Sequence, residues 1–425
     1  MTAPCCHGSL DTRRPTMATI LHEIVANRRT HHIEYGPAAP STRSLADALR
    51  GTNRFIMECK AASPSKGVMR EDYRPGDIAR VYSRYAAAIS VLCEPDYFHG
   101  SYAHLQTVAL STHLPVLCKD FITEESQVRA ARYYGADAIL LMLSVLDDRE
   151  YNRLADVAHE LNLDILTEVI NEEEIKRAVR LGAPIIGINN RNLHDLTVDL
   201  TRTERLFPLI PADRVVVSES GIATHHDVRR SPANAFLVGA QLTSQTDIDR
   251  ACRALVYGEN KVCGLTTPDA AQAARAAGAL YGGLIFDPNS PRYVSRETAE
   301  SIMASEPGLD WVAVTRTTIP ELSGLHAVQL HDDAKAVPGI TNWHVGTDVL
   351  DNGGGSGKTF DWSTIPKDLA PHVLLAGGLN NDNLAAALDV GTRGLDLNSG
   401  FETNGVKDPH KLAQAFHTIR NHKYV

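Results

Sequence analysis

Residues 55–67, FIMECKAASPSKG, begin as an apolar strand and end as a loop of small, hydrogen-bonding residues. Successive side chains of a strand point to opposite faces, so Glu58 and Lys60 share one face and Cys59 lies on the other. Charges on a buried strand are costly unless they are paired or used. The stretch therefore predicts a buried strand whose end carries a site for chemistry.

The same rhythm of apolar strand, loop and amphipathic helix continues along the chain. Segments such as GDIARVYSRYAAA and EEEIKRAVRLG carry apolar residues at helical spacing. Eight strands that alternate with helices predict a parallel (β/α)8 TIM barrel. An open doubly wound sheet is the alternative, but it usually has fewer strands and a GxGxxG turn, which is absent here. The predicted strands are residues 55–60, 88–94, 115–121, 138–144, 164–169, 185–191, 215–220 and 235–241.

The rhythm restarts around Gly258 and gives a second set of eight predicted strands. The fold class is therefore α/β, with two tandem (β/α)8 TIM barrels joined near residues 254–260 by a very short linker. We expect residues 1–16 to be a disordered tail, residues 17–257 to form the first barrel and residues 258–425 the second. The second set of strands is residues 260–265, 281–286, 311–316, 327–331, 342–345, 348–352, 373–379 and 394–400.

We expect the second barrel to be trimmed. Residues 260–425 fall short of the roughly 200 or more residues usual for this fold. Only Gly346 and Thr347 separate the fifth and sixth predicted strands, whereas a parallel crossover needs about a dozen residues. We predict that helices are missing around strands four to six, at least those after strands four and five, and that the helix before Ala327 shrinks. The outer faces of these strands would then be exposed, or covered by the first barrel or a second chain.

Net charge, apolar runs and cysteine pattern exclude several classes of protein. The chain has 425 residues and a formal net charge of −9, which gives no footprint of a nucleic-acid partner. No apolar run reaches the roughly 18 residues that span a bilayer, and residues 1–16 lack the apolar core of a secretory signal. Seven cysteines without a CxxC pair indicate a reducing cytoplasm, no disulfide framework and no metal site. A monomer is compatible with the sequence.

Polar residues lie at the predicted C-terminal ends of the strands, where barrels carry their chemistry. A solvated strand end or a structural ion pair is the alternative interpretation for each of them. A lysine in a partly desolvated barrel mouth can have a lowered pKa, which suits a general acid. In the first unit these residues are Glu58, Lys60, Lys119, Glu168, Asn189, Arg191, Glu219 and Ser220.

The second unit offers a candidate base and acid. Cys263 ends its first strand and Asp351 ends its sixth. A lone strand cysteine is usually an inert core residue, but one paired with an aspartate at another strand end becomes a catalytic candidate. Small residues in both units suit a phosphate held by backbone N–H groups, although ordinary tight turns are the alternative. These are Ser63, Gly221 and Gly239 in the first unit, and Gly377, Gly378, Ser399 and Gly400 in the second.

Longer motifs carry a family resemblance. ECKAASPSKG, LCKDF, LLMLSVLDD, LTEV, GINNRNL and SESGI resemble indole-3-glycerol-phosphate synthase, whereas NKVCGLT, YGGLIFDPNSPRYVS, AVQLH, VLDNGGGSGKTFDW, LLAGGLN and LDLNSG resemble phosphoribosylanthranilate isomerase. Their order resembles the bifunctional bacterial fusion of tryptophan biosynthesis over nearly the whole chain after Met17. The resemblance implies a carboxy-lyase and a ketol isomerase that act on small phosphorylated anthranilate substrates, without a cofactor, a metal or a membrane partner.

In the synthase half, the resemblance implies Lys119 as the general acid that protonates the substrate ketone during ring closure. It implies that Glu168 accepts charge and protons from the anilino side, while Glu58 and Lys60 assist dehydration and hold the substrate carboxylate. Ala240 departs from the serine that the family often has, and its backbone N–H can still serve a phosphate. The remaining implied substrate-orienting and phosphate-binding residues are Ser63, Phe121, Asn189, Arg191, Glu219, Ser220, Gly221 and Gly239.

In the isomerase half, the resemblance implies an Amadori rearrangement whose product is the substrate of the synthase. Asp351 would protonate the furanose ring oxygen and Cys263 would remove the C2′ proton. The implied substrate-binding residues are Arg292, for the anthranilate carboxylate, and Gly378, Asp396, Ser399 and Gly400.

Two other hypotheses remain open from the sequence. The second unit could be a non-catalytic module fused to a monofunctional synthase. It could also perform the related histidine-pathway isomerisation, although that step typically uses an aspartate base where this chain has Cys263.

Overall fold

The computed structural model describes residues 17–64, 67–192, 197–332, 334–352 and 358–424, and for residues 17–20 the backbone alone. The predicted tail, residues 1–16, lies outside the described residues, as do residues 65–66 of the SPSKG loop. Within the described ranges the chain forms two tandem barrels of parallel strands, as the sequence predicts. No described helix is long and apolar enough to cross a membrane.

The first barrel is closed by eight parallel strands, each paired with its neighbour in chain order and β1 paired with both β2 and β8. All eight lie where the sequence places them. The apolar strands are buried on both sides because the helices cover their outer faces. The strands are β1 (Arg54–Cys59), β2 (Ala88–Leu92), β3 (Val116–Lys119), β4 (Ala138–Met142), β5 (Asp164–Val169), β6 (Ile185–Asn189), β7 (Val215–Glu219) and β8 (Ala235–Val238).

Helices surround this barrel, and several begin at side-chain caps that the sequence supplies. Asp147, for example, accepts a hydrogen bond from the backbone N–H of Glu150, whose carboxylate accepts one in return. The helices are α1 (Met17–Thr30), α2 (Leu45–Ala48), α3 (Pro75–Tyr82), α4 (Tyr102–Ser111), α5 (Glu125–Tyr133), α6 (Asp148–Glu160), α7 (Glu172–Arg180), α8 (Thr201–Leu206), α9 (His225–Arg230), α10 (Ala240–Thr243) and α11 (Ile248–Tyr257).

The second barrel also has its eight predicted strands, but its sheet is not fully closed. The two strands at the open edge, β13 and β14, meet only through an isolated bridge between Val345 and Val349. The strands are β9 (Lys261–Val262), β10 (Tyr281–Ile285), β11 (Asp310–Thr315), β12 (Leu325–Leu330), β13 (Thr341–His344), β14 (Val349–Leu350), β15 (Leu374–Leu375) and β16 (Gly394–Leu397).

The prediction of a trimmed barrel is confirmed, and the trimming goes further than the sequence indicated. In the described residues the α-helices of this barrel are α12 (Pro268–Ala277), α13 (Arg296–Ser305), α14 (Leu384–Asp389) and α15 (Pro409–Asn421). The segment before β12 contains no helix, so the prediction of a shortened helix there was wrong. Between β14 and β15 the described residues form only two 3-10 turns, Trp362–Thr364 and Ala370–His372.

The predicted exposure of the outer strand faces holds for β13, where His344 is exposed, but not for β12, whose last four residues are buried. Ile319 and Leu322 from the segment before β12, and Val337 and Ile340 from the segment after it, pack against the core of the second barrel. The Asn342 side chain donates to the carbonyls of Val337 and Ile340 at 3.0 and 2.9 Å and so fixes the second segment to β13. Short apolar loops therefore bury core residues that outer helices usually bury, and they use fewer residues to do so.

The two barrels share an interface built largely from α11 and α15. Arg253 of α11 is fully buried and donates to the carbonyls of Ala279 and Gly308 in the second barrel. Arg420 of α15 donates to the Tyr85 carbonyl of the first barrel at 2.6 Å. A buried guanidinium is tolerated only where its donors are satisfied, so these contacts fix how the barrels meet.

Candidate active sites

One lysine at the C-terminal end of the first barrel lies between two carboxylates from other strands. The Nζ of Lys119 is 3.3 Å from Glu58 Oε2 and 3.3 Å from Glu219 Oε2. Lys60 Nζ is 2.5 Å from Glu58 Oε1. Glu58 and Glu219 are each 1% exposed. Barrel closure brings β1, β3 and β7 to one mouth and thus joins charges that are far apart in sequence.

The charges in this cluster set each other's protonation. Burial alone would raise the pKa of Glu58, but Lys119 and Lys60 outweigh it and hold the pKa below its usual value. Burial alone would lower the pKa of Lys119, but the carboxylates of Glu58, Glu219 and Glu168 raise it instead. The expectation of a lowered lysine pKa was therefore wrong. Lys119 is held fully protonated, with its proton available to an acceptor.

Two neighbouring carboxyls in the same mouth, Glu168 and Glu219, both have raised pKa values. Asn189 donates its side-chain N–H to Glu168 Oε1 at 3.2 Å, and burial raises the pKa of Glu168. Burial and the neighbouring Glu168 raise the pKa of Glu219 to about 8, against the pull of Lys119. Gly187 on β6 makes this crowding possible, because a Cβ there would lie 2.0 Å from Glu219 Oε1. No pattern in the amino-acid sequence pointed to Gly187.

An apolar slot adjoins the charged cluster. A cavity of about 150 Å³ is lined by all the charged residues named above except Glu219, and by Phe121, Asn189, Arg191 and Ser220. The apolar wall of this cavity was not predicted. Alternate residues of β4 point into the barrel, so Leu140 and Met142 could have been identified from the sequence. The other members of that wall are Leu21, Ile24, Leu92 and Phe98. A planar aromatic ring needs such a wall beside a polar edge.

The predicted phosphate residues lie at the other side of the same mouth. Gly221 and Gly239 line a cavity that also reaches Glu58 and Lys119. The hydroxyl of Ser63 is buried and has no hydrogen-bond partner among the described residues. Ser220 and Gly221 both have positive φ, 65° and 90°, which turns successive backbone N–H groups at the end of β7.

The second barrel has a cavity of about 360 Å³ at its mouth, and both Cys263 and Asp351 line it. Gly377, Gly378 and Ser399 lie on its rim, whereas Gly400 does not line it. A Cβ at Gly400 would lie 2.1 Å from the Leu379 carbonyl, so this glycine allows two loops to approach closely. Residues 353–357 of the loop after Asp351 lie outside the described residues.

Arg292 lines this cavity but already has a carboxylate partner. Its Nε and Nη2 donate to the two carboxylate oxygens of Glu402, each at 2.8 Å. Lys407 pairs with the same carboxylate. The role of Arg292 toward a substrate carboxylate stays a prediction. Glu402 and Lys407 were missed because they lie beyond β16, in a short hairpin of Glu402–Thr403 and Val406–Lys407.

Asp396 also lines the cavity and is paired inside the barrel. Its Oδ2 is 2.8 Å from the Nζ of Lys261, which also donates to Gln329 Oε1 at 2.6 Å. Lys261 is fully buried. Burial raises the pKa of Cys263, although Lys261 opposes this. Alternation along β9 places Lys261 on the face of Cys263, so this buried charge could have been predicted from the sequence.

The comparisons with known proteins agree with this division into two sites. Residues 16–255 match the family model of indole-3-glycerol phosphate synthase, and residues 340–418 match that of N-(5'-phosphoribosyl)anthranilate (PRA) isomerase. The tryptophan biosynthesis protein TrpCF of Corynebacterium glutamicum is 52% identical over 96% of this chain and 99% of its own. That of Salmonella typhi is 47% identical over 95% of this chain and 100% of its own.

A crystal structure of TrpF from Jonesia denitrificans is 30% identical over 38% of this chain and 97% of its own, with a TM-score of 0.33. The two TrpCF proteins correspond to this chain over nearly its whole length, and the two family models match the first barrel and the C-terminal part of the second, in that order. The chain therefore belongs to the TrpCF family of bifunctional tryptophan biosynthesis enzymes, which join an indole-3-glycerol phosphate synthase to a phosphoribosylanthranilate isomerase.

Proposed function

We propose that the second barrel isomerises N-(5-phosphoribosyl)anthranilate and that the first barrel converts the product to indole-3-glycerol phosphate. The assignment of one reaction to each barrel rests on one observation: each barrel mouth holds its own candidate acid and base. Lys119 lies between Glu58 and Glu219 in one, and Cys263 and Asp351 line one cavity in the other. The match to the isomerase family model leaves a non-catalytic second module as the less favoured alternative.

In the isomerase site, Asp351 donates a proton to the furanose ring oxygen, and the ring opens to a Schiff base. The Cys263 thiolate then removes the C2′ proton and becomes a thiol, which leaves an enolamine that tautomerises to the ketone. Gly378 and Ser399 on the cavity rim offer backbone N–H groups to the phosphate. Gly377 supports this geometry, because a Cβ there would lie 2.8 Å from Asp351 Oδ1.

In the synthase site, the anthranilate ring enters the apolar slot with its carboxylate toward Lys60. Lys119 donates its proton to the ketone oxygen as the aromatic carbon that bears the carboxylate attacks the carbonyl carbon. Loss of carbon dioxide restores the aromatic ring. Glu168 then takes a proton from the anilino side while the new hydroxyl leaves as water, with Glu58 and Lys60 assisting.

The site suits this sequence of steps because it combines a full positive charge with one carboxyl, Glu219, that holds a proton. The carboxylates raise the pKa of Lys119, so it enters the cycle protonated. Glu219, with a pKa of about 8, is neutral at physiological pH and can donate a hydrogen bond. The slot excludes water from the ring, which strengthens each of these interactions.

We propose the domain boundary at residues 257 and 258 and a cytoplasmic location. The boundary is supported by the end of α11 at Tyr257 and by Gly258, whose φ of 83° turns the chain toward β9. The location is supported by the membership of a family of biosynthetic enzymes.

Single substitutions in one barrel test the division, with the other barrel as the folding control. We expect Lys119→Met to lower synthase kcat by at least about a hundredfold and to leave the isomerase unchanged, since general acid–base groups contribute about 10² to 10⁴. Cys263→Ala and Asp351→Asn should do the reverse. The isomerase is followed by the loss of phosphoribosylanthranilate fluorescence, and the synthase by the absorbance of the indole product. An isomerase that survives both second-barrel changes would contradict the proposal.

A further inference from the structure

The second barrel contains a fully buried lysine that the steps above do not use. Lys261 lies two residues before Cys263 on β9, so both side chains point into the barrel. Burying an ammonium group is costly unless every N–H donor finds an acceptor. A lysine buried in the interior of the barrel therefore needs a structural or functional reason.

The ammonium group of Lys261 has two side-chain acceptors, and the thiol of Cys263 packs next to it. Gln329 Oε1 lies 2.6 Å from Lys261 Nζ and Asp396 Oδ2 lies 2.8 Å from it, and the Cys263 sulfur lies beside the same side chain. Gly283 on β10 leaves the space for this arrangement. A Cβ at Gly283 would lie 2.8 Å from Cys263 Sγ and 2.9 Å from Lys261 Cε. Bare backbone on β10 is what lets the lysine stem and the thiol pack side by side.

We propose that Lys261 is a positioning residue for the isomerase, whose buried ammonium orients the Cys263 sulfur and stabilises its thiolate. The inference rests on the proposed role of Cys263 as the base. Lys261 keeps its own proton throughout. The thiolate takes the C2′ proton and becomes a thiol, and its negative charge passes to the electron-poor Schiff base as the enolamine forms.

Other charged groups near the Cys263 sulfur also raise or lower its pKa. Burial raises the pKa of Cys263, Asp396 adds to this, and Lys261 and Lys407 oppose it. Lys407 is shared with Glu402, and Arg292 from the loop after β10 is paired with the same carboxylate. His331 and Asp351 face the region from β12 and β14, and burial lowers the pKa of His331, so that imidazole is neutral.

The test compares Lys261→Gln with Asp396→Asn. Two pH profiles are measured on the full chain: alkylation of Cys263 by iodoacetamide, followed by the mass of its peptide, and kcat/KM of the isomerase. We expect Lys261→Gln to move both midpoints up by about one pH unit or more, which lowers kcat/KM at pH 7 about tenfold, with recovery at higher pH. Asp396→Asn should move both midpoints down. Synthase activity reports that the chain is folded.

Unchanged midpoints in both variants, or a loss of isomerase activity that is equal at every pH, would overturn the inference. If Lys261→Gln disrupts the second barrel, seen as a change in its tryptophan fluorescence, the downward shift in Asp396→Asn decides the matter, and its absence counts against the proposal. Cys263→Ala could keep its isomerase activity while Lys261→Gln still shifts the alkylation midpoint of Cys263. The proposed base would then be wrong, and the effect of Lys261 on the thiol would stand.

Discussion

Substituting Glu219 by glutamine should make the protein more stable and less active. Burial and the neighbouring Glu168 raise the pKa of Glu219 from an ordinary 4.5 to about 8. A carboxyl whose pKa is raised on folding stabilises the protein fully only below its unfolded pKa, and the stability is lost as the pH rises toward the folded value. Each pH unit in that window removes about 1.4 kcal/mol, so ionisation of Glu219 costs roughly 5 kcal/mol above pH 8.

A neutral glutamine avoids this cost. We expect Glu219→Gln to raise the free energy of unfolding by at least about 2 kcal/mol at pH 8.5, since part of the gain is offset by the lost charge-assisted bond to Lys119. At pH 4.5 Glu219 is neutral in the folded protein and about half ionised in the unfolded chain, so the difference between the two proteins should nearly vanish. The assay is urea unfolding at pH 4.5, 7 and 8.5, followed by circular dichroism. Synthase kcat should fall at the same time.

The matched control is Glu94→Gln, the same change at another buried glutamate. Glu94 is 1% exposed and accepts three backbone N–H groups, from Asp96, Tyr97 and Phe98, at 3.0, 2.8 and 3.1 Å. An amide cannot accept all three, so this variant should lose about 1 to 3 kcal/mol. The reasoning is refuted if Glu219→Gln is less stable than the parent at pH 8.5, or if its gain does not depend on pH.

Three further substitutions test the geometry of the two mouths. Gly187→Ala places a methyl group against Glu219, and we expect at least about a tenfold loss of synthase kcat/KM, with isomerase turnover as the unaffected control. Gly377→Ala forces a left-handed backbone, φ 86°, on alanine beside Asp351, so isomerase turnover should fall while the synthase assay is unchanged. Arg28→Met removes the ion-pair partner of the buried Asp120 carboxylate, and thermal unfolding should show a loss of about 3 kcal/mol or more.

The trimmed second barrel shows how little outer structure this fold needs to keep its mouth intact. Cys263, Asp351 and the glycines after β15 still line one cavity, although no α-helix follows β11 to β14 in the described residues. The C-terminal strand ends are held by their neighbours in the sheet and by the barrel interior. The outer helices contribute burial, and short apolar loops supply enough of it here.

The strands, their order and the residues at their ends could all be predicted from the amino-acid sequence. These are local properties: alternation and helical spacing lie within a few residues, and in a parallel barrel every strand end arrives at the same mouth. Glu58, Lys119, Glu219, Cys263 and Asp351 were therefore identifiable from their positions along the chain. The motifs indicated the family for the same reason, because each of them is a short continuous stretch.

How those residues affect one another depends instead on the tertiary structure. The raised pKa of Lys119 depends on carboxylates from three other strands, and no local pattern states how close they come. The same holds for the pairing of Arg292 with Glu402, and for the contact of Lys261 with Gln329. Electrostatic energies depend on distance and burial together, and both are set by closure of the barrel rather than by position along the chain.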